Sequence, residues 1–451
     1  ATGALDFDDL IAGAVRLCAA RPELVRDYLR RFRAIFVDEY QDVNFAQYAM
    51  VRILAPGASA ELCAIGDPNQ AIYGFRGSDR RFIDRFLADY PGAAVYRLVR
   101  SFRCAPSIVG AAGRLVGTEL EGTGSAVALS RAEFSTDKSE AEGIAREIDR
   151  LIGGTRFFAY DSGVVDSAAE AARSAASMSP GLRSLGECAI LFRAAALSPP
   201  IQKALLDHGI PYRLVGETPW WEEEPCRSVV ALLRAAGQPA LAEPRPRDSA
   251  APESALRARL SGLSPKAAVR VAFELLDQAR PSKKSGRKTE AAPVAVPDSL
   301  SERLAARAAS YRDLRTFLDD LALASPQDGY EAHSETVSLM TIHAAKGLEF
   351  DHVFVAGLEE GILPFTLFEE RSGQNEDAAH LEERIEEERR LLYVAMTRAR
   401  IGLHLSWARS RHFRGRALSL QPSRFLAQIE ELVPLLDAGT RRPRDPQMGL
   451  F

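Results

Sequence analysis

The sequence predicts an α/β fold of parallel strands flanked by helices, with a small helical insertion. Three observations carry this. Two short apolar runs, Ala34-Ile35-Phe36-Val37 and Leu62-Cys63-Ala64-Ile65, stop abruptly on Asp38-Glu39-Tyr40-Gln41-Asp42 and on Gly66-Asp67-Pro68-Asn69-Gln70. Such runs read as buried parallel strands with polar C-terminal ends. Segments with apolar residues at helical spacing alternate with further strand-like runs. The zone from about 223 to 330 offers only helical patterns between stretches rich in Pro, Ala and charge.

In chain order, Leu10, Ala14 and Leu17, then Leu24, Tyr28 and Phe32, place two helices before the first strand. After Gly77, residues 80–90 read as a helix ended by Pro91-Gly92, and Ala94 to Leu98 as a strand. Residues 106–116 and 140–152 read as helices, the second through Ile144, Ile148 and Leu151. Residues 153–184, rich in Ser, Ala and Gly, read as an insertion. A strand over 187–193, a helix over 201–207, a strand over 212–215 and a helix over 226–236 follow. Residues 237–253 and 278–297 read as mobile linkers, with helices near 254–261, 265–277 and 300–323. Strands resume at Val337 to Met340 and Asp351 to Ala356. A helix through Glu386, Arg390, Val394 and Arg398 then leads to a strand at 402–408. The Pro/Arg-rich tail after Gly439 reads as disordered.

The chain has 451 residues, 46% hydrophobic and 26% charged, which suits a soluble protein of two to four domains. No run is long enough to span a membrane. The five cysteines are scattered and form no CxxC pair, so a reduced cytosolic setting is expected, and a Cys metal site is not. A net charge of −4 argues against generic polyanion binding but leaves room for a local groove. The chain opens inside a helix-like segment with no initiator Met, as expected of a piece of a longer protein.

Ligands of open α/β sheets gather at the strand ends. The two ends here offer Asp38 and Glu39, then Gln70, then Tyr73-Gly74-Phe75-Arg76-Gly77. Paired acids suit a metal ion and an attacking water, and Gln suits a phosphate. Aromatics flanked by glycines, with Arg beside them, suit a nucleic-acid strand. Each feature alone has a blander meaning: a solvated turn, ordinary core aromatics, a surface guanidinium. A two-metal nuclease is disfavoured because no further acid and Lys set lies nearby.

Five segments occur together and in order: VDEYQD (37–42), GDPNQAIYGFRG (66–77), SFRC (101–104), TIHAAKGLEF (341–350) and EEERRLLYVAMTRAR (386–400). They resemble the superfamily-1A DNA helicases of the UvrD/Rep/PcrA family. The resemblance implies two RecA-like motor domains of the P-loop NTPase class, ATP and Mg²⁺ as cofactors, and single-stranded DNA and ss/ds junctions as partners. It implies that Asp38 and Glu39 hold the metal, with Glu39 as the base. Gln70 would sense the γ-phosphate. Phe102, standing where the family usually has Tyr, would stack on adenine, and Arg103 and Arg398 would act as arginine fingers. Glu349 would contact the ribose. Tyr73, Phe75 (where the family usually has Trp), Arg76, Thr341 and His343 would contact DNA.

The family's phosphate loop GxxxxGK[ST] and its adenine-reading Gln motif do not occur in the 451 residues. The nearest string, Ser285-Gly286-Arg287-Lys288-Thr289, has the wrong spacing and follows no strand. The expectation is a 3′→5′ translocase of DNA repair or replication whose 451 residues, taken alone, hydrolyse ATP poorly. Its setting would be the cytoplasm, at the nucleoid, as a monomer or weak self-associator with repair or replication partner proteins. The alternative is an inactive helicase-like module that binds DNA or protein. The expected domains are 1–98 (first motor domain), 99–222 and 331–438 (second motor domain), 223–330 (helical insertion, whose Lys283–Lys288 run reads as a charged linker) and 439–451 (tail).

Overall fold

A computed structural model describes residues 7–57, 61–124, 128–152, 182–216, 220–222, 224–237, 259–260, 262–278, 298–323, 335–367, 378–413 and 415–436. Most of the 153–184 insertion, the linkers 237–253 and 278–297, most of the 254–261 helix and the tail lie outside the described residues. The chain divides into two compact units, residues 1–213 with 333–451, and residues 214–332.

In the first unit, α1 (Phe7–Ala20) and α2 (Pro22–Arg31) lead into β1 (Ala34–Val37), which pairs in parallel with β2 (Glu61–Ala64). Between them runs α3 (Phe45–Leu54). Its start is fixed by a capping box: the Asn44 side chain accepts from the Gln47 amide, and the Gln47 side chain accepts from the Asn44 amide. The helix expected over 80–90 is broken at Arg85 into α4 (Arg81–Asp84) and α5 (Phe86–Asp89). The strand expected at Ala94 to Leu98 does not form. A strand needs a partner for its N–H and C=O groups, and the described residues supply only an isolated bridge between Arg100 and Glu121. Tyr96 and Leu98 stand 85% and 89% exposed.

The rest of this unit is built on an eight-stranded sheet. Its strands are β3 (Ala128–Thr136), β4 (Cys188–Phe192), β5 (Tyr212–Val215), β6 (Val337–Thr341), β7 (Phe350–Ala356), β8 (Ala399–Phe413), β9 (Arg416–Ser419) and β10 (Leu435–Leu436). The order is β10-β3-β8-β7-β4-β6-β5, with β9 antiparallel on β8. Helix α6 (Pro106–Val116) precedes β3. Helix α7 (Asp137–Leu151) follows it and buries Ala141, Ile144, Ala145, Ile148 and Leu151. This stripe at helical spacing packs with Ile190, Leu339 and Phe354 and with Leu205 of α8 (Ser198–Asp207).

At the N-terminal end of α7, Glu140 is buried with Glu359 and Arg411, all at most 2% exposed. Arg411 donates to Glu140 and, at 2.6 and 3.0 Å, to Glu359. The remaining acceptor capacity is filled by Gly357 N and Ser406 Oγ on Glu140, and by Ala408 N on Glu359. Burial, then the charge of Glu140, pushes the Glu359 carboxyl up to about 7. Its folded-state pKa is raised, so its stabilisation is full below about pH 4.3 and is lost as pH rises through about 7. Elsewhere in the sheet, burial holds His404 on β8 down at about 4, so its contribution runs the other way, present above about 6.5 and lost as pH falls through about 4. Glu359→Gln is therefore expected to remove the fall in Tm between about pH 5 and pH 7.5. A thermal-unfolding series that keeps this fall in the variant would place the proton elsewhere.

The second unit packs α9 (Cys226–Gly237), α10 (Pro265–Gln278), α11 (Asp298–Ala308) and α12 (Leu314–Leu323) around Trp221, Leu233, Phe273, Leu304 and Phe317. The Arg307 guanidinium lies 4.5 Å from the centre of the Trp221 ring.

Candidate nucleotide and nucleic-acid site

The C-terminal ends of β1 and β2 are locked together by Gln41, which is 1% exposed. Its Nε2 donates to Glu39 Oε2 at 2.5 Å, and its Oε1 accepts from the Asp67 amide at 3.0 Å. Gly66 leaves room for this clasp, because a Cβ would sit 2.6 Å from Gln41 Oε1 and would displace it. Asp38 and Glu39 are both exposed, and Asp38 accepts from the Glu39 amide at 2.9 Å. Glu39 has φ 50°, a left-handed backbone that costs a side-chain-bearing residue about 1–2 kcal/mol. Strain held in place by a hydrogen-bonded frame is common where a side chain must be aimed. Gln70 donates to Asp67 Oδ2 at 2.9 Å, and Tyr393 donates to the same oxygen at 3.2 Å.

The donor set suits a hydrated divalent cation. Among the described residues no group of three or more acids, His or Cys could hold a metal by itself. Two exposed carboxylates with phosphate oxygens and water are the surroundings Mg²⁺ prefers.

Just beyond Gln70, the turn Gly74–Arg76 presents Phe75, 66% exposed. Its ring meets His343 edge-on at 5.3 Å. The Tyr73 hydroxyl donates to the His343 carbonyl at 3.3 Å, and the Gly74 amide donates to Glu387 at 3.0 Å. The Arg76 side chain lies outside the described residues. Thr341 ends β6, where its hydroxyl accepts from the Ala344 amide at 3.3 Å. A cavity of about 410 Å³ opens here, lined by Phe75, His343, Arg193, Phe365, Arg384 and Glu387 among others. Arg193 clasps Glu388 through two nitrogens and lies 5.2 Å from the Phe365 ring centre.

The remaining expected residues gather at the opposite, N-terminal end of the large sheet. Arg103 donates to Glu349 at 2.6 Å, just before β7, and Phe102 is 81% exposed. Arg398, just before β8, is only 1% exposed. It donates to the carbonyls of Val394 and Leu348 and to the Thr397 hydroxyl. Burial, then the charge of Arg103, pulls its pKa down to about 10. In this arrangement Arg398 is held by the main chain and does not project as a finger.

Sequence reasoning passed over Gln41, Asp42, Lys346, Glu387, Arg390 and Tyr393. All six lie inside the five segments, and that was the available signal. Lys346 is 7% exposed and bridges to Asp42 and to the Gln70 carbonyl. Arg390, on α13 (Ala378–Met396), donates to the Ala71 carbonyl at 2.9 Å.

Residues 1–91 match the UvrD/REP helicase N-terminal domain, and residues 281–410 the UvrD-like helicase C-terminal domain. The chain is 30% identical over 486 residues to DNA helicase II of Escherichia coli (strain K12), covering 95% of this chain and 63% of that protein. It is 31% identical over 518 residues to ATP-dependent DNA helicase UvrD1 of Mycobacterium leprae (strain TN), covering 94% and 62%. It is 30% identical over 505 residues to ATP-dependent DNA helicase PcrA of Staphylococcus epidermidis (strain ATCC 12228), covering 98% and 64%. The chain thus spans a little under two thirds of the length of these relatives. With both family domains matched and the five segments in chain order, this chain belongs to the UvrD-like DNA helicase family.

Proposed function

We propose that the chain forms most of the motor of an ATP-dependent 3′→5′ DNA helicase that serves repair or replication and acts on single strands and ss/ds junctions. One observation carries this reading: Glu39 and Gln70 lie on the same stretch of chain as half-buried Tyr73 and exposed Phe75, and Phe75 faces the His343 cavity. Nucleotide chemistry and strand contact are therefore built into one piece of chain.

Mg²⁺ would be held by Asp38 and Glu39 and would neutralise charge on the β- and γ-phosphates. Glu39 would take the proton of the attacking water. Gln70 would face the γ-phosphate, and Phe102 the adenine. Arg103 and Glu349 would meet the nucleotide from the second motor segment. Arg398 would join them once released from its carbonyl partners. No GxxxxGK[ST] loop lies in these 451 residues, so by themselves they are expected to turn over ATP poorly. DNA-stimulated turnover at a helicase-like rate from this chain alone would overturn that point. The reading as an inactive binding module would stand if turnover stayed absent when a phosphate loop is supplied.

Base stacking on an aromatic contributes about 1–3 kcal/mol and tolerates any sequence. Tyr73→Ala and Phe75→Ala are each expected to weaken oligo(dT) binding by about 5- to 150-fold, read by fluorescence anisotropy. Unchanged affinity in both variants would remove the strand from this turn.

A further inference from the structure

The connection from β6 to β7 carries a buried ammonium that touches four parts of the proposed site. Lys346 Nζ donates to the Asp42 carboxylate and, at 2.8 Å, to the Gln70 carbonyl. It lies 3.6 Å from Glu39 Oε2 and 5.0 Å from the centre of the Tyr73 ring. We propose that Lys346 is a positioning residue that ties the DNA-stacking turn to the phosphate-side acids, so that a strand on Tyr73 alters how Glu39 and Gln70 are held. The inference rests on the DNA reading given above.

The chemistry of the bridge supports this role. Asp42 is half-buried, and its Oδ1 has no hydrogen-bond partner among the described residues. Its charge therefore depends on Lys346. An ammonium is a compact point charge on a flexible stem, so it can keep hold of Asp42 while moving between the Tyr73 ring and Glu39. Attraction to the ring face is one of its contacts. A base that stacks on Tyr73 changes that contact, and the ammonium recentres on the acids. A ligand shifts an equilibrium only through contacts that differ between two states, and this is such a contact. Linkage is reciprocal, so an event at Glu39 is felt at Tyr73.

Hydrogen exchange on the 451-residue chain, with and without oligo(dT), tests this directly. Oligo(dT) is expected to alter amide exchange over 73–77 and also over 38–43 in the unsubstituted chain. In Lys346→Met the response is expected to be confined to 73–77, with oligo(dT) affinity lowered about five-fold or more and the salt dependence of binding unchanged. Asp42→Asn keeps the shape, removes the charge, and is expected to behave alike, which covers the case in which Lys346→Met does not fold. A response confined to 73–77 in the unsubstituted chain overturns the inference and leaves the DNA reading intact, as does a response at 38–43 that survives Lys346→Met. A salt slope reduced by about one in Lys346→Met makes Lys346 a phosphate contact instead. No oligo(dT) binding by the unsubstituted chain overturns the DNA reading, and this inference with it.

Discussion

Glu39→Gln is expected to lower ATP turnover by about 10²- to 10⁴-fold, the usual contribution of a positioned general base. The measurement belongs in a form of the protein that carries a phosphate loop, comparing steady-state turnover with binding of labelled ATP and of oligo(dT). Binding is expected to persist. The substitution keeps the length of the side chain, an oxygen for Gln41 Nε2 to donate to, and the left-handed backbone at this position. What it removes is the charge that would draw a proton from water. Lys346, 3.6 Å away, keeps Asp42 as its principal partner, so the frame survives. Turnover at the unsubstituted rate would assign the base to another residue.

Arg411→Met is expected to destabilise the protein by about 3–5 kcal/mol, because it strands two buried carboxylates without their shared cation. Glu140 and Glu359 are 1% and 0% exposed, so water cannot replace the guanidinium. Both would have to take up protons, which makes the loss greater at alkaline than at mildly acidic pH. Urea unfolding at two pH values reads this. A loss under about 1 kcal/mol would mean the triad behaves as a surface pair. Replacing all three residues together by apolar ones of similar volume is expected to restore much of the loss.

The sequence announces the fold class where chemistry interrupts hydrophobicity. The apolar runs ending at Asp38, Thr341 and Ala356 read as strands, and they are strands. β3 was not legible, because Ala128 to Thr136 mixes Ser, Arg and Glu with its apolar residues; only pairing with β8 makes it a strand. Ala94 to Leu98 misled for the opposite reason, since its pattern suits a strand but the described residues give it no partner. The expected site residues also divide in a way no local pattern reveals. Asp38 and Gln70 follow the rule that ligands gather at C-terminal strand ends, whereas Arg103, Glu349 and Arg398 sit at the N-terminal ends of β7 and β8. Lys346 escaped notice because its partner Asp42 is 304 positions away. Spacing along a chain says nothing about such a pair.

Helix α13 has a mechanical consequence. Its 19 residues make a rod about 28 Å long. Its middle lines the cavity through Arg384, Glu387 and Leu391. Its last turn places Tyr393 against Asp67, and only the two-residue turn Thr397-Arg398 separates it from β8. A rod without a hinge transmits displacement rather than dissipating it. A shift imposed by whatever fills the cavity would be carried along the last turns toward Arg398, and a glycine pair between Leu391 and Arg398 would damp it.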